Sequence, residues 1–331
     1  MSADSFDALP YEPDERTPDA DARRHYWAVA IGLQAVDGLE VSPYLRKLAA
    51  DYEEGRCSLQ ETGALIRAYH SDADSPEGEQ VEACEQSATC GHLATRERIA
   101  DRNSLCADDK AATAEADLVS QRIAELLEAG SFMLAPEMLP LIHRTLFQDL
   151  DAEIYRPGQF KTERLVKQED ILNGDSVLYA DPLMIQPSLD YLFREEARAT
   201  YGTVFTRADI ERFAKFIALL WQVHPFVEGN TRTIAVFSEL YLVSLGFPAS
   251  NSPFQKHARY YRDALVRANY CNNEAGIAPT RAPLEAFYEN LIQGASHTLN
   301  RETLLCPKLF DNPHLLKNIP PARALTTSQG Q

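Results

Sequence analysis

The chain has 331 residues, 45% of them hydrophobic, and a formal net charge of −17 at pH 7. That length and apolar fraction suffice for one large helical core plus a small accessory domain. The acidic surplus argues against nucleic acid or an anionic membrane as the main partner and fits a neutral or basic protein.

Residues 1–20 are rich in Asp, Pro and Ala, so residues 1–25 are expected to be a disordered acidic leader and not a signal peptide. Residues 28–43 and 45–55 then read as helix, turn, helix, and residues 59–69 as a third short helix. Residues 71–90 hold Asp, Glu, Ser and Gly with few large apolar groups, which predicts a solvated linker over residues 71–95. Residues 115–127 and 141–147 are amphipathic at helical spacing, with a break at Ala135 and Pro136 between them. Residues 176–184, flanked by Gly174 and Pro187, are rich in β-formers in their first half and predict a small hairpin. The polar chain after about residue 312 should fray, within a C-terminal tail of residues 301–331. Cysteines 57, 84, 90, 106, 271 and 306 show no metal-ligand spacing, and no apolar run is long enough to span a membrane. The simplest compartment is the cytoplasm, with thiols reduced.

The most informative stretch runs from His224 to Arg232. Ahead of it, Ala208, Ile210, Phe213, Phe216, Ile217, Leu220 and Val223 repeat at helical spacing. After it, Ile234, Phe237, Leu240, Tyr241 and Leu245 do the same, and Gly246 with Pro248 reads as a helix stop. The stretch is therefore a turn between two core helices that ends at the N-terminus of the second, a natural anion site. Activating a Ser, Thr or Tyr hydroxyl needs a base, and His224 suits because a neutral imidazole is available near pH 7. Glu228 is the candidate carboxylate for a magnesium ion shared with phosphate oxygens. Asn230, Arg232 and the helix amides would hold phosphate oxygens, with Gly229 allowing a close approach.

His224, Phe226, Glu228, Gly229, Asn230 and Arg232 match the signature loop of Fic-domain proteins, and the chain resembles that family over roughly residues 115–295. The resemblance implies an all-α fold, a Fic-type helical core over residues 96–300 with a small β-hairpin flap. It also implies transfer of AMP from ATP, with Mg²⁺, to a hydroxyl of a protein target or of the chain itself. Phe226, Gly229, Asn230, Thr231 and Arg232 would then surround the nucleotide, and Tyr261, or its neighbour Tyr260, in residues 257–267, would stack on its base. In the flap, Val177, Leu178 and Tyr179 would dock the target backbone as an added strand. Two positions depart from the family pattern. Thr231 stands where Gly or Lys is usual, and Ala235 where a second Arg usually serves the terminal phosphate, which leaves another donor open as an alternative. A non-catalytic, peptide-binding Fic-like module is the other alternative.

Residues 26–70 resemble the small antitoxins that inhibit Fic enzymes, and would form a helical module ahead of the catalytic domain. Its candidate inhibitory residues are Asp37 and Gly38, with Asp37 standing where the inhibitors carry Glu. Since Asp37 replaces Glu and Ala235 replaces Arg, the glutamate switch is expected to be weakened or gone, with the module kept as a structural or docking piece. Intramolecular regulation by residues 26–70 and homo-oligomerisation both stay open.

Overall fold

The computed structural model describes residues 18–71, 107–247 and 253–317. Among these residues the chain is all-α: helices are joined by 3₁₀ turns, there is no strand, and one isolated bridge pairs Asn272 with Ile277. Three helices, α1 (Ala20–Gly32), α2 (Pro43–Glu53) and α3 (Leu59–Ser71), precede α4 (Ala107–Ala129). Then come α5 (Met138–Phe147), α6 (Ala152–Tyr155), α7 (Ile185–Glu196) and α8 (Arg207–Val223). The last four are α9 (Asn230–Ser244), α10 (Phe254–Asn269), α11 (Ala282–Gln293) and α12 (Pro307–Asp311).

The core forms around α9, whose side chains from Asn230 to Leu242 are all buried. A helix covered on every side must be the centre of its fold. Helix α8 delivers the chain to it. Thr206 caps α8 through a reciprocal pair with Asp209, and Ile210, Phe213, Ile217, Leu220 and Trp221 form its buried face. Each of these large apolar residues contributes roughly 1.5–3 kcal/mol by leaving water.

The N-terminal helices join this core directly. The Ser42 backbone N–H and hydroxyl both donate to Asp117 on α4, at 2.8 and 2.6 Å, and His70 Nε2 lies 2.9 Å from the same carboxylate. His25 Nε2 lies 3.3 Å from Glu239 Oε2 of α9, both side chains buried. Gly32 lies so close to the backbone of Phe254 and Gln255 that an added Cβ would overlap it.

Three expectations need correction. Residues 20–25 are helical and not part of a leader, because Asp19 caps α1 by accepting from the Ala22 N–H at 2.8 Å. The hairpin over residues 176–184 has no ladder. Residues 175–181 form neither helix nor strand, and the chain turns back through bonds such as Gly174 N to Glu169 O, 3.1 Å, and Glu169 N to Asp175 O, 3.0 Å. The C-terminal segment packs at least to Lys317: Leu304 and Leu309 are buried, and Cys306 N donates to Ile171 O at 3.0 Å. The expected linker from residue 72 onward, the start of the domain at residue 96, and Cys84, Cys90 and Cys106 lie outside the described residues, as do residues 1–17 and 318–331. No helix among the described residues is long and apolar enough to cross a membrane.

Candidate active site

Helix α8 ends at His224, which adopts left-handed φ 49° and ψ 60° and donates its N–H to Trp221 O at 3.1 Å. A non-glycine residue in that region is uncommon, and here it reverses the chain into the motif turn. The imidazole stacks on Tyr179 (centroids 3.9 Å apart, interplanar angle 26°) and meets Trp221 edge-on. Burial, then the positive charges of Lys161, Lys167 and Arg262, hold its pKa well below 6.5, so the ring is neutral near pH 7. Its buried Nδ1 has no hydrogen-bond partner.

The turn is braced from inside. Asn230 Oδ1 accepts from the Phe226 N–H at 2.9 Å, and its amide donates back to Phe226 O at 2.7 Å. Gly229, at φ 74°, caps α9. A Cβ there would overlap the Phe147 ring, so both conformation and space require glycine. His143 clamps the turn from α5. Its Nδ1 accepts from Gly158 N–H at 2.9 Å, which leaves Nε2–H to donate to Glu228 O at 3.0 Å. The same ring stacks on Phe226 at 3.8 Å. Burial lowers the His143 pKa to about 4, in keeping with a neutral ring that both accepts and donates.

His224, Glu228, Gly229, Asn230, Thr231 and Arg232 line a cavity of about 370 Å³. Arg232 is buried at its floor, where its Nε lies 2.8 Å from Asp37 Oδ2 and its Nη2 2.9 Å from Glu115 Oε1. Its Nη1 donates to Gln34 Oε1 at 3.2 Å, and its guanidinium lies 4.9 Å from the Phe147 ring centre. Burial by itself would lower the Arg232 pKa, but Asp37, Tyr155 and Glu115 outweigh it and raise the pKa. At the rim Lys167 pairs with Glu228, whose side chain is 40% exposed. Arg262 of α10 completes the lining, with Nη2 3.2 Å from Glu169 Oε2 and Nη1 3.9 Å from Asp37 Oδ1.

The structure thus brings Asp37 from the N-terminal module into the same cavity as the motif. Gly38 follows it at φ 75°, ending the 3₁₀ turn that presents Asp37. The expected loss of contact at position 235 is offset by a pairing of Asp37 with Arg232. Other residues sit elsewhere than expected. Tyr261 is fully buried, with its hydroxyl 3.0 Å from that of Tyr288 and its ring against Phe254 and Phe287, so it belongs to the core and does not face the cavity. Phe226 is fully buried under the turn, and the Asn230 amide is engaged by backbone. Thr231 Oγ1 accepts from Trp221 Nε1–H at 2.9 Å, which ties α9 to α8. Val177 and Tyr179 point inward, and of the three flap residues only Leu178 is exposed.

Sequence reading missed Glu115, His143, Lys161, Lys167 and Arg262. A signal existed for Arg262, which shares an i, i+4 row with Ala258 and Val266, both buried. A cation in an apolar row implies a buried anionic partner.

Residues 134–242 match the family model described as the Fic/DOC family, while no curated protein matches the chain. The matched span runs from just before α5 into α9 and contains the whole turn from His224 to Arg232. Lining one cavity with these residues, on an all-α core, the chain carries a Fic/DOC family domain at residues 134–242.

Proposed function

We propose that the chain is a protein adenylyltransferase that moves AMP from ATP to a Ser, Thr or Tyr hydroxyl of a protein target or of itself. One observation supports this most directly: the neutral His224 lines the same cavity as Arg232 and the half-exposed Glu228. Only a neutral imidazole can take a hydroxyl proton.

The target oxygen attacks the α-phosphorus of ATP, its proton passes to His224, and the bond to the departing pyrophosphate breaks. His224 is held well below its ordinary pKa partly by Lys167 and Arg262. Phosphate oxygens bound against those cations would cancel their field, so the base strengthens when the donor arrives. Arg232 and the amides at the start of α9 meet the phosphate charge, and the braces from Asn230 and His143 hold the turn in one geometry. Among the described residues no three His, Cys, Asp or Glu side chains cluster as metal ligands. A lone carboxylate that already attracts a cation, Glu228 with Lys167, fits magnesium, which takes one or two protein carboxylates plus phosphate oxygens and water. When bound, the ion would neutralise phosphate charge.

The test is incubation of the purified chain with α-labelled ATP and magnesium, beside His224→Ala. Label on protein that disappears in the variant is the expected result. Label of equal intensity in the variant, or none in either, would overturn this reading.

A further inference from the structure

The cavity contains a second guanidinium that the motif does not supply. Arg262 reaches it from α10, and Asp37 lies between it and Arg232, with Oδ2 2.8 Å from Arg232 Nε and Oδ1 3.9 Å from Arg262 Nη1. One carboxylate thus faces two arginines from two different helices, one oxygen to each. That arrangement suits any anion with two oxygens on one centre, and a phosphoryl group above all.

The two arginines are not equally accessible. The Arg232 side chain is 2% exposed and that of Arg262 28%, so Arg262 is the outer member of the pair. Its remaining contacts leave it partly free to serve a ligand. Among the described residues, Nη2 is held by Glu169, while Nη1 donates to the Val36 carbonyl at 3.3 Å and has an Asp37 oxygen beyond hydrogen-bond reach. Position 235, by contrast, is a fully buried alanine that offers the cavity no charge.

The geometry points to Arg262 as a phosphate-chain ligand: it and Arg232 bracket a diphosphate or triphosphate where Asp37 now lies. This deepens the adenylyl-transfer reading, yet it concerns the anion alone and so can be tested without transfer. Glu169 is buried against Arg262, and removing the whole cation would leave that carboxylate unpaired. Arg262→Lys keeps the charge and loses the fork, which makes it the informative variant.

The experiment titrates inorganic pyrophosphate and orthophosphate, each with magnesium, into the full chain carrying Asp37→Ala. Calorimetry follows binding and thermal melting follows the fold. Adding Arg262→Lys should weaken pyrophosphate binding about tenfold at an unchanged melting temperature, as for loss of one charge-assisted hydrogen bond. Orthophosphate, which presents two oxygens on one centre as the Asp37 carboxylate does, should weaken along with it. No weakening of pyrophosphate binding, or no pyrophosphate binding by the folded Asp37→Ala chain, would overturn the assignment. Arg262-dependent pyrophosphate binding without label transfer from ATP would instead sustain it and remove the adenylyl-transfer reading.

Discussion

Asp37 Oδ2 lies 2.8 Å from Arg232 Nε, joining the turn after α1 to the first turn of α9. Arg232 is among the most deeply buried charges in the chain, so it needs this carboxylate or another anion in its place. A donor phosphate bound at Arg232, as proposed above, would compete with Asp37 for that guanidinium. Asp37→Ala should raise automodification from ATP several-fold and lower stability by about 1–2 kcal/mol, the cost of halving a partly exposed ion pair. Labelling and urea titration check the two effects. An unchanged labelling rate would make Asp37 a structural residue only.

Gly229→Ala should be strongly destabilising. The position needs φ 74°, and an added methyl would meet the Phe147 ring. Strain and overpacking together predict a loss of about 2–4 kcal/mol. Phe147→Leu in the same chain should restore part of it, because that change makes room but leaves φ as it is. Urea unfolding of the single and double variants gives the comparison.

Asn230→Ala should act through the fold before it acts on the donor. The buried N–H and C=O of Phe226 would both lose their partners, at roughly 1–3 kcal/mol each. The melting temperature should fall with the Asn230 amide removed. A variant that melts as the parent does but no longer binds ATP would return Asn230 to the phosphate ligands.

Stability should fall on acidification from about pH 6.5. His143 has a folded pKa near 4 against 6.5 for a free imidazole, so between those values the unfolded chain binds more protons than the folded one. Stability therefore decreases as pH drops through this window, by about 3 kcal/mol at its lower end, and His224 adds to the same trend. His143→Gln should flatten the slope. At ATP well below its KM, where the rate reports the free chain, labelling that depends on His224 should hold level from pH 8 to pH 6, and an acid limb near pH 6.5 would contradict the lowered pKa.

The helical layout was legible because its signal is local. Apolar residues at 3.6 spacing marked α4, α5, α8 and α9, and the motif turn followed from the stops on either side. The flap was misread for a related reason: β-formers such as Val177 and Tyr179 are there because they are buried against the core, with Tyr179 on His224, and not because they pair in a ladder. Tyr261 looked like a base-stacking aromatic, but an aromatic on a buried helix row packs against other rings by default, as Phe254 and Phe287 show. Arg262 and Asp37 meet only in the folded chain, across separation that no periodicity encodes.

Gly32 fixes how closely the N-terminal helices sit on the core. The close approach of α1 to the start of α10 tolerates no side chain, and His25 on the same helix faces the buried Glu239. Lifting the N-terminal helices away would expose the apolar face of α1 to water and part His25 from Glu239. A ligand that took Arg232 from Asp37 would need only the short turn ending at Gly38 to move, with α1 staying docked. Asp37 is thus carried as a latch on a short turn, and the frame on which that turn is mounted is held by α1 against the core.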